Sequence, residues 1–75
     1  MTNIAERTRG IIADHYGVDA VEDDAHLYND LGADSLDEIE LSMSLEVEFG
    51  IEILDEDRAG IQTVGDVVKL MERMA

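Results

Sequence analysis

Ser35 is the residue of this chain whose setting most suggests chemistry. It lies in the run Asp34-Ser35-Leu36-Asp37-Glu38, at the start of an apolar-periodic stretch. Ser35 and Glu38 have capping-box spacing, and spacing alone favours a serine that only closes a helix end. If Asp34 caps instead, Ser35 becomes the first helical residue and its hydroxyl faces solvent. A phosphate esterified there would meet free backbone N–H groups and the positive end of the helix dipole, despite the carboxylates of Asp34 and Asp37. A hydrolytic serine would need a positioned base. Only His15 and His26 could serve, no Gly-x-Ser-x-Gly elbow is present, and both read better as a helix-face and a loop residue. With no Cys and two His, zinc held by thiolates is excluded and a histidine metal site is poorly supplied. The stretch from Asp55 to Asp66 echoes an EF-hand loop, with acids at positions 1 and 3 and Gly60 at 6. Ala59 at position 5 and Asp66 in place of the bidentate Glu argue against it. Weak binding of divalent ions to the acidic clusters is expected, because it would relieve repulsion.

The elements that must position Ser35 follow from periodicity and caps. Residues 3–16 read as a helix, with Asn3 and Glu6 at capping-box spacing and Gly17 as its stop. Ile4, Thr8, Ile11, Ile12 and Tyr16 share one face. Residues 17–34 read as a long loop in which Val18, Val21, Leu27 and Leu31 are candidate pins onto the core. Loops of this length in small domains are often functional. From Leu41 to Ile53 the odd positions are apolar, which is a strand signal. Leu, Glu and Met are nevertheless good helix formers. At about 100° per residue, Leu41, Leu45 and Phe49 form one stripe and Leu36, Ile39, Met43 and Val47 the opposite one. Residues 35–50 are therefore predicted to be a helix with two apolar faces. Either both faces are buried, or the second is a docking surface edged by Glu40 and Glu46. Asp55–Gly60 reads as one short turn. Residues 63–74 form a last helix, capped by Thr63 with Asp66 and apolar along Val64, Val67, Val68 and Met71. The expected fold class is all-α: a small bundle of three main helices plus one short helix, in a single domain over residues 1–75.

Charge narrows the function. The chain has 19 acidic and 5 basic residues, a formal net charge of −14. That argues against nucleic acid and against an anionic membrane surface. Leu, Ile, Val and Phe make up 21 of the 75 residues, enough for a core and too many for a disordered chain. No stretch has the length of a membrane span, and residues 1–16 lack an apolar signal-peptide core, so a cytoplasmic location is the expectation, with a monomer as the default state. Eleven acids and no Lys or Arg lie between Asp30 and Asp57. Uncompensated charge costs stability, so this stretch suggests recognition of a partner with basic side chains around an apolar groove.

The segment Asp30-Leu31-Gly32-Ala33-Asp34-Ser35-Leu36-Asp37-Glu38-Ile39-Glu40-Leu41 resembles the prosthetic-group site of acyl carrier proteins of the dissociated fatty-acid-synthase type, and the similarity runs on through Ser42–Ile53. The resemblance implies a carrier and not an enzyme. It implies 4′-phosphopantetheine on Ser35, flanked by Asp34 and Leu36, transferred from coenzyme A by a phosphopantetheinyl transferase. The cofactor would bring the thiol that the chain lacks. Leu36, Ile39 and Met43 match partner-facing positions, extended here by Val47. Asp34, Asp37, Glu40 and Glu46 would meet basic docking patches on the transferase and on acyl transferases, ketosynthases and reductases. Leu41, Leu45 and Phe49, with Ile53 and Ile61, would line the space for an acyl chain. Leu54 stands where the family often has Pro, Val47 where it often has an acid, Thr8 and Gly10 loosen the first helix, and the Asp19–Asp24 loop is short and acidic. The implied function is shuttling acyl thioesters in fatty-acid, specialised lipid or polyketide biosynthesis. The rival readings are an acidic, cofactor-free adaptor and a divalent-cation-binding protein.

Overall fold

A computed structural model of the chain describes residues 3–75. Four helices follow in order: α1 Ile4–Tyr16, α2 Ser35–Phe49, α3 Asp55–Arg58 and α4 Val64–Met74. The all-α architecture of three main helices and one short one is the expected one. None of the described helices is long and apolar enough to cross a membrane.

Each helix begins and ends where its local chemistry dictates. The Asn3 side chain accepts the Glu6 N–H at 2.8 Å and opens α1. Gly17 closes it at φ 68°, a left-handed conformation that other residues adopt only with strain. Thr8 is fully buried, yet its hydroxyl donates to the Ile4 carbonyl at 2.8 Å, so this hydroxyl is not orphaned. The ambiguity over residues 41–53 is resolved as helix through Phe49. Leu41 and Leu45 are buried while Met43 between them is exposed, as a helical stripe requires; a strand pleat would put all three on one face. In α4, Val64, Val67, Val68, Leu70 and Met71 are buried; α1 packs against this helix and against α2.

The 17–34 connection has no helix of its own but is tied down. The Leu27 N–H donates to the Gln62 carbonyl at 2.9 Å, the Val64 N–H to Ala25 at 3.0 Å, and the Gly65 N–H to Asp23 at 2.7 Å. A Cβ at Gly65 would lie 3.0 Å from the Asp23 carbonyl oxygen, so the close approach of the two segments favours glycine there. His26 Nδ1 accepts the N–H groups of Tyr28 and Asn29, both at 3.2 Å. Of the expected pins, Leu27 is in the core and Val21 and Leu31 are half-buried, but Val18 is exposed. The cap explains the exception. The Val18 N–H bonds back to the Ala13 carbonyl at 3.0 Å, which holds Val18 by its backbone as the chain leaves the helix.

Thr63 and Asp66 form the expected reciprocal cap of α4. Asp66 accepts the N–H groups of Gln62 at 3.0 Å and Thr63 at 3.1 Å, and these bonds hold its carboxyl below the usual carboxylate range. A depressed folded-state pKa adds stability above the unfolded value of about 4, lost as pH falls through the folded value. Asp66→Ala should therefore lower the Tm at pH 7, with a smaller gap to wild type in strong acid. A gap independent of pH would show that the carboxylate charge is not the source.

Candidate functional site

The run from Leu31 to Ser35 is built as a support for the serine. Leu31 is half-buried, Gly32 turns the chain at φ 72°, and Ala33 is buried with its N–H on the Leu27 carbonyl at 2.9 Å. Asp34 then caps α2. Its Oδ1 accepts the Asp37 N–H at 2.9 Å, and the Asp37 carboxylate accepts the Asp34 N–H at 3.3 Å. This box overturns the Ser35–Glu38 cap that spacing favoured. Ser35 is instead the first helical residue and is exposed, and Glu38 takes the Tyr28 hydroxyl across the loop. The first-turn N–H groups and the helix dipole beside the Ser35 hydroxyl suit an esterified phosphate, while the two capping carboxylates oppose it.

Beyond Ser35 the two stripes of α2 separate. Leu41 and Leu45 face the core, and Phe49 is half-buried beneath the Arg7 guanidinium, 4.5 Å above its ring. Leu36, Ile39, Met43 and Val47 are between 47% and 85% exposed, so the reading in which both stripes are buried does not hold. The rim acids divide. Glu40 is exposed. Glu46 is half-buried and accepts the Ile53 N–H at 2.8 Å, bracing the turn into α3. Asp37 serves the cap and also faces His15, its Oδ1 3.9 Å from Nε2. With Asp34 and Asp37 in the cap and Glu46 at this turn, three of the four expected docking carboxylates have internal work.

Leu41, Leu45, Ile53 and Ile61 come together with Leu27, Val67 and Leu70 around an apolar seam edged by Glu38 and Ser42. Phe49 is outside this lining. The seam encloses about 10 Å³, no more than one water needs. Glu38 and Ile61 also border an open depression of about 460 Å³, whose other walls include His26, Tyr28, Asp55 and Arg58.

The rival chemistries lose their residues. His26 Nδ1 accepts backbone N–H groups and His15 Nε2 faces Asp37, and among the described residues no hydrogen bond joins either imidazole to Ser35 as a positioned base would need. Asp55–Arg58 is a helical turn and Asp66 caps α4, so the segment is not an EF-hand loop. Periodicity had no means of finding the Tyr28–Glu38 contact, which joins a non-repeating loop to a helix. Tyr16 was legible only as a core-face residue. Its hydroxyl is buried without a partner among the described residues, and burial, with Asp37 and Glu38 nearby, pushes the phenol up to about 12.

Comparison with known proteins agrees with this architecture. The family described as "Phosphopantetheine attachment site" matches residues 6–71. The acyl carrier protein of Sinorhizobium fredii (strain NBRC 101917 / NGR234) is 53% identical over 75 residues, covering 97% of this chain and 96% of that protein. Acyl carrier protein AcpP of Rhizobium meliloti (strain 1021) matches with the same identity and coverage. Among solved structures, a candidate acyl carrier protein from Mycobacterium tuberculosis superposes with a TM-score of 0.88 at 33% identity, covering 95% of this chain and 97% of the other. With its helical order, its exposed Ser35 and this near full-length similarity, the chain belongs to the acyl carrier proteins, carriers of 4′-phosphopantetheine and not catalysts.

Proposed function

We propose that Ser35 is the attachment point of 4′-phosphopantetheine and that residues 1–75 act as one carrier domain. The observation that carries this reading is the exposed Ser35 hydroxyl at the first position of α2, left free because Asp34 and Asp37 cap each other. Bound there, the group supplies the thiol on which acyl chains are held as thioesters. Asp34 and Leu36 frame the serine for the transferase. The exposed stripe Leu36, Ile39, Met43 and Val47, with Glu40 free beside it, suits the apolar, base-rimmed docking sites of acyl transferases, ketosynthases and reductases. Asp37 and Glu46 add charge to this face while holding the helix ends. The seam of Leu41, Leu45, Ile53 and Ile61 is nearly closed, so sheltering an acyl chain there requires α2 to part from the core. The reading is of a monomer in the cytoplasm that passes acyl thioesters between enzymes of fatty-acid, specialised lipid or polyketide biosynthesis. The exposed Val47 extends the docking stripe by one turn and favours a dedicated set of partners.

The test is intact mass after incubation with coenzyme A and a broad-specificity phosphopantetheinyl transferase: one added unit is expected, and none would sink the reading. Met43→Glu, at the centre of the stripe, should slow this transfer without lowering the Tm, because Met43 is exposed and supports no core contact. Wild-type transfer rates in that variant would remove the stripe from partner recognition.

A further inference from the structure

The last turn of α1 and the first two turns of α2 bring one imidazole and two carboxylates together. We propose that His15, Asp37 and Glu40 form a site for a single divalent transition-metal ion of the zinc class. Their ligand atoms all lie within 4.8 Å of one another. Around zinc, with bonds of about 2.0–2.2 Å, ligands sit roughly 3–4 Å apart, so a contraction of about 1 Å completes the set. Glu40 is exposed and can supply it by a rotamer change.

The other two ligands are already oriented. The His15 ring stands edge-on to Tyr16, with centroids 4.8 Å apart, and points Nε2 toward Asp37 Oδ1 at 3.9 Å. The second Asp37 oxygen is held by the Asp34 N–H at 3.3 Å, which leaves Oδ1 as the free donor. A ligating carboxylate fixed by an outer hydrogen bond is the usual construction of a metal site. No arginine competes for these acids among the described residues: Arg7 pairs with Glu48, Arg9 with Asp23, Arg58 with Asp55 and Arg73 with Asp57. The negative end of α1 favours a cation and the positive end of α2 opposes it, so the two carboxylates carry the charge balance. The imidazole sets the preference, since calcium and magnesium take oxygen ligands. Three protein ligands leave a position for water. Occupancy would clamp α1 to α2 two residues beyond Ser35 and withdraw Glu40 from the exposed rim. None of this depends on Ser35 being modified.

The test is a titration of the purified apo chain with Zn²⁺ alone, in a non-chelating buffer, by calorimetry and by NMR of the imidazole protons. One equivalent should bind, moving the His15 signals and leaving those of His26. His15→Gln should weaken zinc about tenfold or more, with calcium affinity changed by less than about twofold. Glu40→Gln should weaken zinc as well, and it settles the question if His15→Gln fails to fold, because Glu40 makes no packing contact in the core. Equal zinc affinity in wild type and in the variant that folds, or movement of His26 in place of His15, overturns the site.

Discussion

Ser35→Ala is expected to abolish covalent loading completely while leaving α2 in place. The two halves of that result come from different groups. Loading needs a hydroxyl at the first helical position, and Ser35 is exposed there. Helix closure needs an N-terminal acceptor, and Asp34 provides it by taking the Asp37 N–H at 2.9 Å. Alanine is also a better helix former than serine, so circular dichroism and the Tm should match wild type within about 0.5 kcal/mol. Intact mass with coenzyme A and transferase should then show one added unit on wild type and none on the variant. A variant that is still loaded would place the modification on another residue. A variant that loses its helix would return Ser35 to the capping role that its spacing with Glu38 suggested.

The second large effect lies in the loop. Leu27 is 2% exposed and sits in the core beneath a segment with no helix. Its N–H is on the Gln62 carbonyl and its carbonyl receives the Ala33 N–H, each at 2.9 Å. Leu27→Ala should cost about 2–5 kcal/mol, from lost burial and the cavity left behind. In a domain of this size that is a drop in Tm of roughly 8 °C or more. The segment that carries Ala33 and Asp34 up to Ser35 should loosen with it. Val18→Ala is the matched control: Val18 is exposed, and its replacement should stay within about 0.5 kcal/mol. Urea unfolding that shows equal losses for the two variants would mean that the loop is not anchored through Leu27.

Together with the proposed His15 site, these results would separate three kinds of work around one helix start. Asp34 and Asp37 close it, Ser35 presents an oxygen beside it, and Glu40 is left to an outside cation, whether a partner's basic side chain or a metal ion.

What the residue order determined by itself is local. The caps at Asn3 and Thr63, the stop at Gly17 and the two stripes of residues 35–50 are all set by neighbours three or four positions apart, and such interactions can be read directly from spacing. Spacing alone read Ser35 as a cap; the resemblance of the whole Asp30–Leu41 segment marked it as a site. Which of two adjacent residues caps α2 was not decided by spacing, because Asp34 with Asp37 and Ser35 with Glu38 satisfy the same rule. The tie was broken by the approach of the loop, where Tyr28 takes Glu38 and Leu27 holds Ala33. Likewise, periodicity found both apolar faces of α2, but only the packing of α1 against α2 and α4 decided which one stays in water. Glu46 bracing Ile53, Phe49 lying under Arg7, and His15 facing Asp37 join residues 7, 42 and 22 positions apart. Such pairs have no period in the chain; they form because burying the core fixes where the helices lie relative to one another.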